Sequence, residues 1–584
     1  MAQLAPDRAP SAQSSALSWR NRTLLSLMAV ATLAVSPAFF LGNASGHDFQ
    51  FHVASWMEAA RQWREGIFFP RWAECANWGF GEPRFIFYPP SSWTIGAALG
   101  LVLPWRVVPG AFIWLALIAA GMSMWKLARE WLDGPQAAVA AVLYAVNPYQ
   151  LVLIYYRSDF AELVAITLFP LLFWGAVRIS RGEWRQAPLL AAAFAGVWLS
   201  NAPAGVIATY SLALALAVGC VVRRSARPLI PGAAAMAGGF GLAAFYIVPA
   251  AWEQRWVQIT LVIADHFLPV QNFLFTRSNA PDFTQFNWRV SWAALGAIVV
   301  TTVATLAAAR RRREAPEVWW IAAAIGAAAL FLMTPLSTLV WRYLPRLQFL
   351  QFPWRWLDAF GVAYALFVAA AMGRPQKRRA WLVPALILAA TVGEAALIIR
   401  TGWWEPDDVP DVADAIQTGH GYEGTDEYMP IGGDRYQLPG NPDDETRPDG
   451  VPAEPAPPIA MADPDSELGA DSIVAVKGAR LHVQRWTAEQ RFFTVDATEP
   501  MRLAPRLLAY PAWQVKVDGN VQPYESVPET MQMVIPVPAG NHRIEIRFLR
   551  TSDRTLGGAI SLATAAVLLA FSRKRRTIKS GAED

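Results

Sequence analysis

Apolar residues gather into twelve stretches along this chain, near 22–42, 107–126, 135–149, 161–177, 187–200, 203–222, 230–250, 290–309, 317–334, 354–373, 380–399 and 556–572. Runs of this kind predict membrane-spanning helices, several of them shorter than the ~20 residues of an ordinary span. From 470 the period changes to two: RLHVQRW, FFTVDA, WQVKVDG, MQMVIPV and HRIEIRF alternate, divided by turn signals such as Asp518-Gly519. That alternation predicts a small antiparallel β-domain of the sandwich kind. The pattern as a whole predicts a polytopic α-helical membrane protein of about twelve spans carrying a β-domain.

Charge orients the spans. Basic clusters fall at Lys126/Arg129, Arg178/Arg181/Arg185, Arg223/Arg224/Arg227, 310–313, 374–379 and 573–576. Lys and Arg in short loops stay on the cytoplasmic side. An inner N-terminus with strict alternation puts every cluster inside, provided 91–105 (SSWTIGAALGLVLPW) is an interfacial or re-entrant segment and no full span. The first apolar run, preceded by Arg8, Arg20 and Arg22, reads as a retained anchor. The expected organisation is a cytoplasmic tail 1–21, a transmembrane domain 22–400 with outer loops 43–106, 150–160, 251–289 and 335–353, an acidic and Pro-rich outer segment 401–469, an outer β-domain 470–553, and a final span with a basic cytoplasmic tail over 556–584. Both termini are expected inside and the large domain outside.

Composition agrees with a membrane protein: 54% of the 584 residues are hydrophobic and 16% charged. The 27 Trp and 30 Phe suit rings at a membrane–water interface. A net charge of +4, with basic blocks only beside spans, gives no footprint for nucleic acid. Two cysteines, Cys75 and Cys220, support neither a disulfide framework nor a zinc–thiolate site.

Candidate chemistry gathers on the face predicted to be outer. GHDFQFH, 46–52, places Asp48 between His47 and His52 just past the first span. Asp48 reads as a cap for the helical pattern of 49–65, as a base, or as a ligand for a divalent cation such as Mg²⁺ or Mn²⁺. The two histidines, five apart, fit a tight transition-metal site poorly. The loop runs on into WAECANWGFGEPRFIFYPPSSW, whose rigid aromatics suit a cavity for a polar headgroup on a lipid tail.

YYRSDFAE, 155–162, offers Arg157, Asp159 and Glu162. The two acids have capping-box spacing; the functional reading pairs Arg157 with a phosphate and leaves an acid as base or ligand. RYLPRLQFLQFPWRW, 342–356, holds Arg342, Arg346 and Arg355 among aromatics. Snorkelling accounts for one such arginine, and an anion held at the interface accounts for three. Residues 405–449 carry a net charge of −11 and read mostly as solvated loop, apart from GHGYEGTDEYMP, where Tyr422, Glu423, Asp426 and Glu427 could line a polar pocket. Tyr510 and Trp513 read as core before they read as sugar platforms.

GHDFQFH, YYRSDFAEL, LSNAP, LQFPWRW and YEGTDEY resemble a bacterial membrane family labelled 6-pyruvoyl-tetrahydropterin synthase-related, and more widely the GT-C superfamily of integral-membrane glycosyltransferases. YPAWQVKVDG and VPAGNHRIEIRF are similar to the outer domain of a related bacterial membrane family. Nothing resembles a soluble pterin enzyme, whose zinc triad of histidines is absent. The resemblance implies a sugar on a polyprenyl phosphate as donor, a glycan, lipid or protein as acceptor, and a place in the bacterial inner membrane. It implies Asp48 as general base or metal ligand and Asp159 or Glu162 as the second-loop acid. His47, His52, Arg157, Arg346, Arg355, Tyr422, Glu423, Asp426 and Glu427 are expected to contact substrate. The reading from another class is a lipid or polysaccharide transporter or assembly factor on such a frame, with Glu394 as its charged mid-span residue.

Overall fold

A computed structural model describes residues 12–263, 267–372, 382–441 and 455–580. The expectations for the tail before residue 12, the basic cluster at 374–379 and the acidic stretch 442–454 lie outside the described residues. The chain divides into two compact units: Met1–Phe49, Gly110–Phe240 and Asp265–Pro406 form one, Gln50–Pro109, Gly241–Ala264 and Asp407–Asp584 the other.

Every predicted apolar stretch carries helix. Seven helices among the described residues are long and apolar enough to cross a membrane, and nine if each of two bent pairs counts as one span. The bends are 68° between Leu229–Leu242 and Ala244–Trp256, and 89° between Pro316–Leu332 and Pro335–Tyr343. Two other stretches give short helices, Ala187–Ser200 and Leu357–Ala371. Residues 91–105 give only the eleven-residue helix Pro90–Gly100, about half the hydrocarbon thickness at 1.5 Å per residue.

The first unit is a helical bundle. Its centre is Leu357–Ala371, buried along nearly its whole length. Around it pack Gly134–Ala145, Pro281–Ala307 and Pro316–Leu332. An all-round apolar helix belongs in such a position. A two-residue ribbon pairs Asn43 with Glu405 and Ala44 with Trp404, antiparallel. It ties the loop after the first span to the segment after helix Leu382–Arg400.

The second unit joins the helix Phe49–Arg64, the last helix Ser552–Ser580 and two antiparallel five-stranded sheets. One sheet runs in the order Glu525–Ser526, Met533–Val537, Met501–Pro505, Ile459–Ala462, Ile473–Val474. The other runs Ala479–Thr487, Gln490–Ala497, Gly540–Phe548, Trp513–Val517, Asn520–Gln522. Asp518 and Gly519 join two of these strands with φ of 51° and 83°. A two-residue turn with both φ positive matches the right-handed twist of the strands it joins. Strand Ile459–Ala462 comes from the acidic, Pro-rich segment expected to precede the β-domain; all four residues are buried, so no alternation marks it. Trp72, Tyr510, Trp513 and Phe548 meet edge-on or stacked in the core, where Tyr510 and Trp513 were expected and Trp72 was read as lining a cavity.

Candidate functional site

The candidate site belongs to the first unit and is built by two chain turns that touch through their backbones. Helix Gly134–Ala145 ends before Asn147, whose side chain caps Pro148–Val152 by accepting from Tyr149 N at 3.0 Å and Gln150 N at 3.1 Å. The chain then widens into a π-helical turn, Leu153–Arg157, closed by Ser158 at φ 54°. Such turns are uncommon and cluster at functional places. Asp159 caps the following helix Phe160–Ile166, accepting from Glu162 N at 2.9 Å. Only half of the expected capping box forms, because the Glu162 side chain turns elsewhere.

Against this turn lies the loop 43–48. Ser158 Oγ donates to Ala44 O at 2.7 Å and accepts from Gly46 N at 3.0 Å. Asp48 N donates to Arg157 O at 2.9 Å. A Cβ at Gly46 would stand 2.4 Å from the Arg157 carbonyl carbon and 2.5 Å from Tyr156 O. Only glycine lets the two backbones come this close.

The approach brings five predicted residues together. Arg157, buried, sends Nη2 to Asp48 Oδ2 at 2.8 Å and to Asp159 Oδ2 at 3.0 Å, and Nη1 to Glu162 Oε2 at 2.8 Å. Arg355 Nε lies 3.2 Å from Glu162 Oε2, while its Nη1 donates to Leu350 O at 3.2 Å. Tyr149 OH donates to Glu162 Oε1. Phe352 and Trp354, stacked at 4.8 Å, flank the Arg157 guanidinium. A planar fork with five donors is the one side chain able to hold three carboxylates in this way.

The acids differ in access. The side chain of Asp48 is 35% exposed, those of Asp159 and Glu162 3% and 0%. Asp48 Oδ2 is fixed by Arg157, and Oδ1 has no hydrogen-bond partner among the described residues. The arrangement therefore offers one oriented carboxylate with a free lone pair at a surface. The cap reading of Asp48 accounts for its place before the helix Phe49–Arg64 and leaves this ion pair unexplained.

His47 stands beside it, its ring edge-on to Phe286 at 4.8 Å and Trp403 at 5.2 Å. Part of the ring stays open, yet the packing lowers its pKa; Asp48 opposes that shift and Arg157 adds to it. The imidazole is thereby favoured in its neutral form. Arg346 is exposed, at φ 62°, with its guanidinium 5.3 Å from the Phe349 ring.

The other predicted residues belong to the second unit. His52 is buried, with Nδ1 3.2 Å from Ser92 Oγ and Nε2 3.4 Å from Tyr88 OH. Tyr422 OH donates to Glu58 Oε1 at 2.9 Å, and the Glu58 carboxylate also accepts from the backbone N–H groups of Glu74 and Cys75. Burial raises the Glu58 pKa. Glu423 and Asp426 pair with Arg435 at 2.7 and 2.6 Å. Burial pushes the Glu427 carboxyl up to about 7.

Asp358, beside Glu162, was not among the residues expected from sequence. It is 2% exposed, and neither carboxylate oxygen has a hydrogen-bond partner among the described residues. Its signal was available: an acid three residues after Arg355, in the first turn of an apolar helix. Tyr149 gave no such signal. Among the described residues no three His, Cys, Asp or Glu side chains converge as metal ligands. The acids converge instead on Arg157, which bridges them.

The sequence matches, over residues 85–401, a protein family described as "6-pyruvoyl-tetrahydropterin synthase related domain; membrane protein". No curated protein matches it. Among solved structures it is similar to the archaeal oligosaccharyltransferase AglB from Archaeoglobus fulgidus in complex with an inhibitory peptide and a dolichol-phosphate, at 12% identity and a TM-score of 0.43, over 71% of this chain and 61% of that one. It is also similar to the arabinofuranosyltransferase AftD from Mycobacteria, at 18% identity and a TM-score of 0.42, over 67% of this chain and 27% of that one. The chain thus spans less than two thirds of the length of either.

Proposed function

The chain belongs to the 6-pyruvoyl-tetrahydropterin synthase related family of membrane proteins, and from that premise we propose that it is a GT-C-type glycosyltransferase. It moves a sugar from a polyprenyl-phosphate donor to a glycan, lipid or protein acceptor on the extracytoplasmic face of the bacterial inner membrane, in the assembly of a cell-envelope glycan or glycoconjugate. The observation that carries the reading is Asp48, held by a buried arginine through one oxygen and open through the other.

In this reading Asp48 Oδ1 takes the proton of an acceptor hydroxyl. The hydroxyl oxygen bonds to the anomeric carbon as the bond from that carbon to the phosphate oxygen breaks. The electron pair leaves with the polyprenyl phosphate, and a single displacement inverts the anomeric centre. Arg157 is a positioning residue: with three carboxylates already on its guanidinium, its work is to aim Asp48. In this reading the exposed Arg346 meets the charge that grows on the leaving phosphate.

The test uses purified wild type and Asp48→Asn with a panel of polyprenyl-phosphate sugars, with and without Mg²⁺ or Mn²⁺. The readout is release of free polyprenyl phosphate. Loss of a general base predicts a fall of about 10²-fold or more in Asp48→Asn, with an unchanged thermal unfolding profile. Equal release by both proteins overturns the role of Asp48. Absence of release with every donor, alongside tight lipid binding by both, replaces the transferase with transport or assembly.

A further inference from the structure

The second unit carries an open hollow of about 500 Å³, a size typical of small-molecule sites. Its apolar walls include Phe68, Phe69, Phe85, Phe245 and Tyr246, and its polar side holds Glu489 with the cations Arg71, Arg550 and Arg554. Two of these cations are engaged. Arg71 pairs with Glu489, and Arg554 gives Glu253 two bonds of 2.7 Å. Arg550 is exposed and has neither an acidic partner nor a hydrogen bond among the described residues.

Gly558 makes room for it: a Cβ there would lie 3.1 Å from Arg550 Nη2. Gly558 belongs to Ser552–Ser572, an apolar membrane-span candidate of which only 6% is buried in the protein. Phe68, at the cavity wall, leaves 80% of its surface uncovered. An aromatic hollow, one unpaired guanidinium and an unburied apolar helix meet here. Their shared ligand has hydrocarbon for the hollow and one negative charge for the arginine.

The charge narrows the class. A phosphate monoester carries about −1.5 to −2 at neutral pH, a phosphodiester one charge. A single free arginine matches the diester, and its fork suits two phosphate oxygens. The geometry points to a binding site for a lipid phosphodiester, with its phosphate on Arg550 and part of its tail among Phe69, Phe85 and Phe245. A bilayer glycerophospholipid and a polyprenyl-phosphate sugar share this chemistry. The assignment does not rest on the role proposed for Asp48.

The test is lipid retention by the delipidated full-length protein, measured by native mass spectrometry. One arm adds phosphatidylglycerol, a second a polyprenyl-phosphate sugar, and a third uncharged diacylglycerol. One equivalent of at least one phosphodiester is expected, and the tighter of the two identifies the source. Arg550→Glu should weaken it about tenfold or more, as expected when a charged hydrogen-bond donor is lost. Gly558→Leu, which crowds the arginine, should do the same. The phosphatidylglycerol arm, whose lipid is no sugar donor, separates this result from the fate of the transferase reading. Equal retention by Arg550→Glu and wild type, or equal retention of diacylglycerol, overturns the site.

Discussion

A buried carboxylate without a donor destabilises the fold that holds it, and Asp358 is such a group. Around it stand Glu162 and Asp159, with Arg157 and Arg355 shared among them. Asp358→Asn places an amide donor beside the Glu162 carboxylate and leaves the shape, so it should raise the thermal unfolding midpoint of the purified protein, by an amount of the order of 1 kcal/mol. A lowered midpoint would contradict the lack of a partner. Sequence singled out Asp48, Arg157, Asp159, Glu162 and Arg355 in three separate segments, among other candidates, because each stands in a short polar interruption beside an apolar run. It did not identify who neutralises whom. The Arg157–Glu162 pair is five residues apart and local, whereas Asp48 and Arg157 are 109 apart and nothing in either segment announces the other. A cation on a loop was read as a phosphate ligand, since one segment cannot show how many acids fold onto it.

At the scale of elements, the site depends on a close contact between the loop 43–48 and the turn Leu153–Arg157. Gly46→Ala tests this contact without touching a charged group. Its methyl would collide with backbone atoms of Tyr156 and Arg157, which cannot rotate away. The two turns must part, and Asp48 loses its arginine. Transfer should fall toward the level of Asp48→Asn, with a destabilisation of about 1–3 kcal/mol, as for other forced overpacking. Wild-type release of polyprenyl phosphate by Gly46→Ala would show that the contact does not position Asp48. The cap at Asp159 was legible from its spacing to Glu162, and the one at Asn147 was not read. The π-helical turn was not, because no composition distinguishes it from an ordinary helix end. The bends of 68° and 89° were hidden for a related reason: hydropathy reports the length of a run and is blind to its direction.

At the scale of the whole molecule, period-two patterning foretold five of the ten strands in the two large sheets of the second unit, while the partners of those strands lay out of reach. Leu508 N donates to Phe80 O at 3.0 Å, and Arg71 pairs with Glu489, contacts spanning more than four hundred residues. The acidic run was read as mostly solvated, and part of it is built into this unit. Tyr428 is buried, with Phe87 stacked on it at 5.6 Å. Its neighbour Glu427 titrates near 7 because burial disfavours its charge, with Glu82 and Asp426 adding to the effect. The consequence for stability has a definite sign. Between the ordinary carboxylate range, about 4.3 in an unfolded chain, and about 7, the folded state holds a proton that the unfolded state has released. Stability therefore falls as pH rises through that window, and the full penalty stands above it. Glu427→Gln cannot titrate. Its unfolding midpoint, followed by tryptophan fluorescence of the full-length protein, should run nearly parallel to wild type below pH 4.5 and gain on it steadily up to about pH 7.5. Beyond that the gap should stay constant. Two curves that remain parallel from pH 4 to 8 would mean that Glu427 is ionised at no cost, and that its surroundings are wetter than the packing around Tyr428 implies.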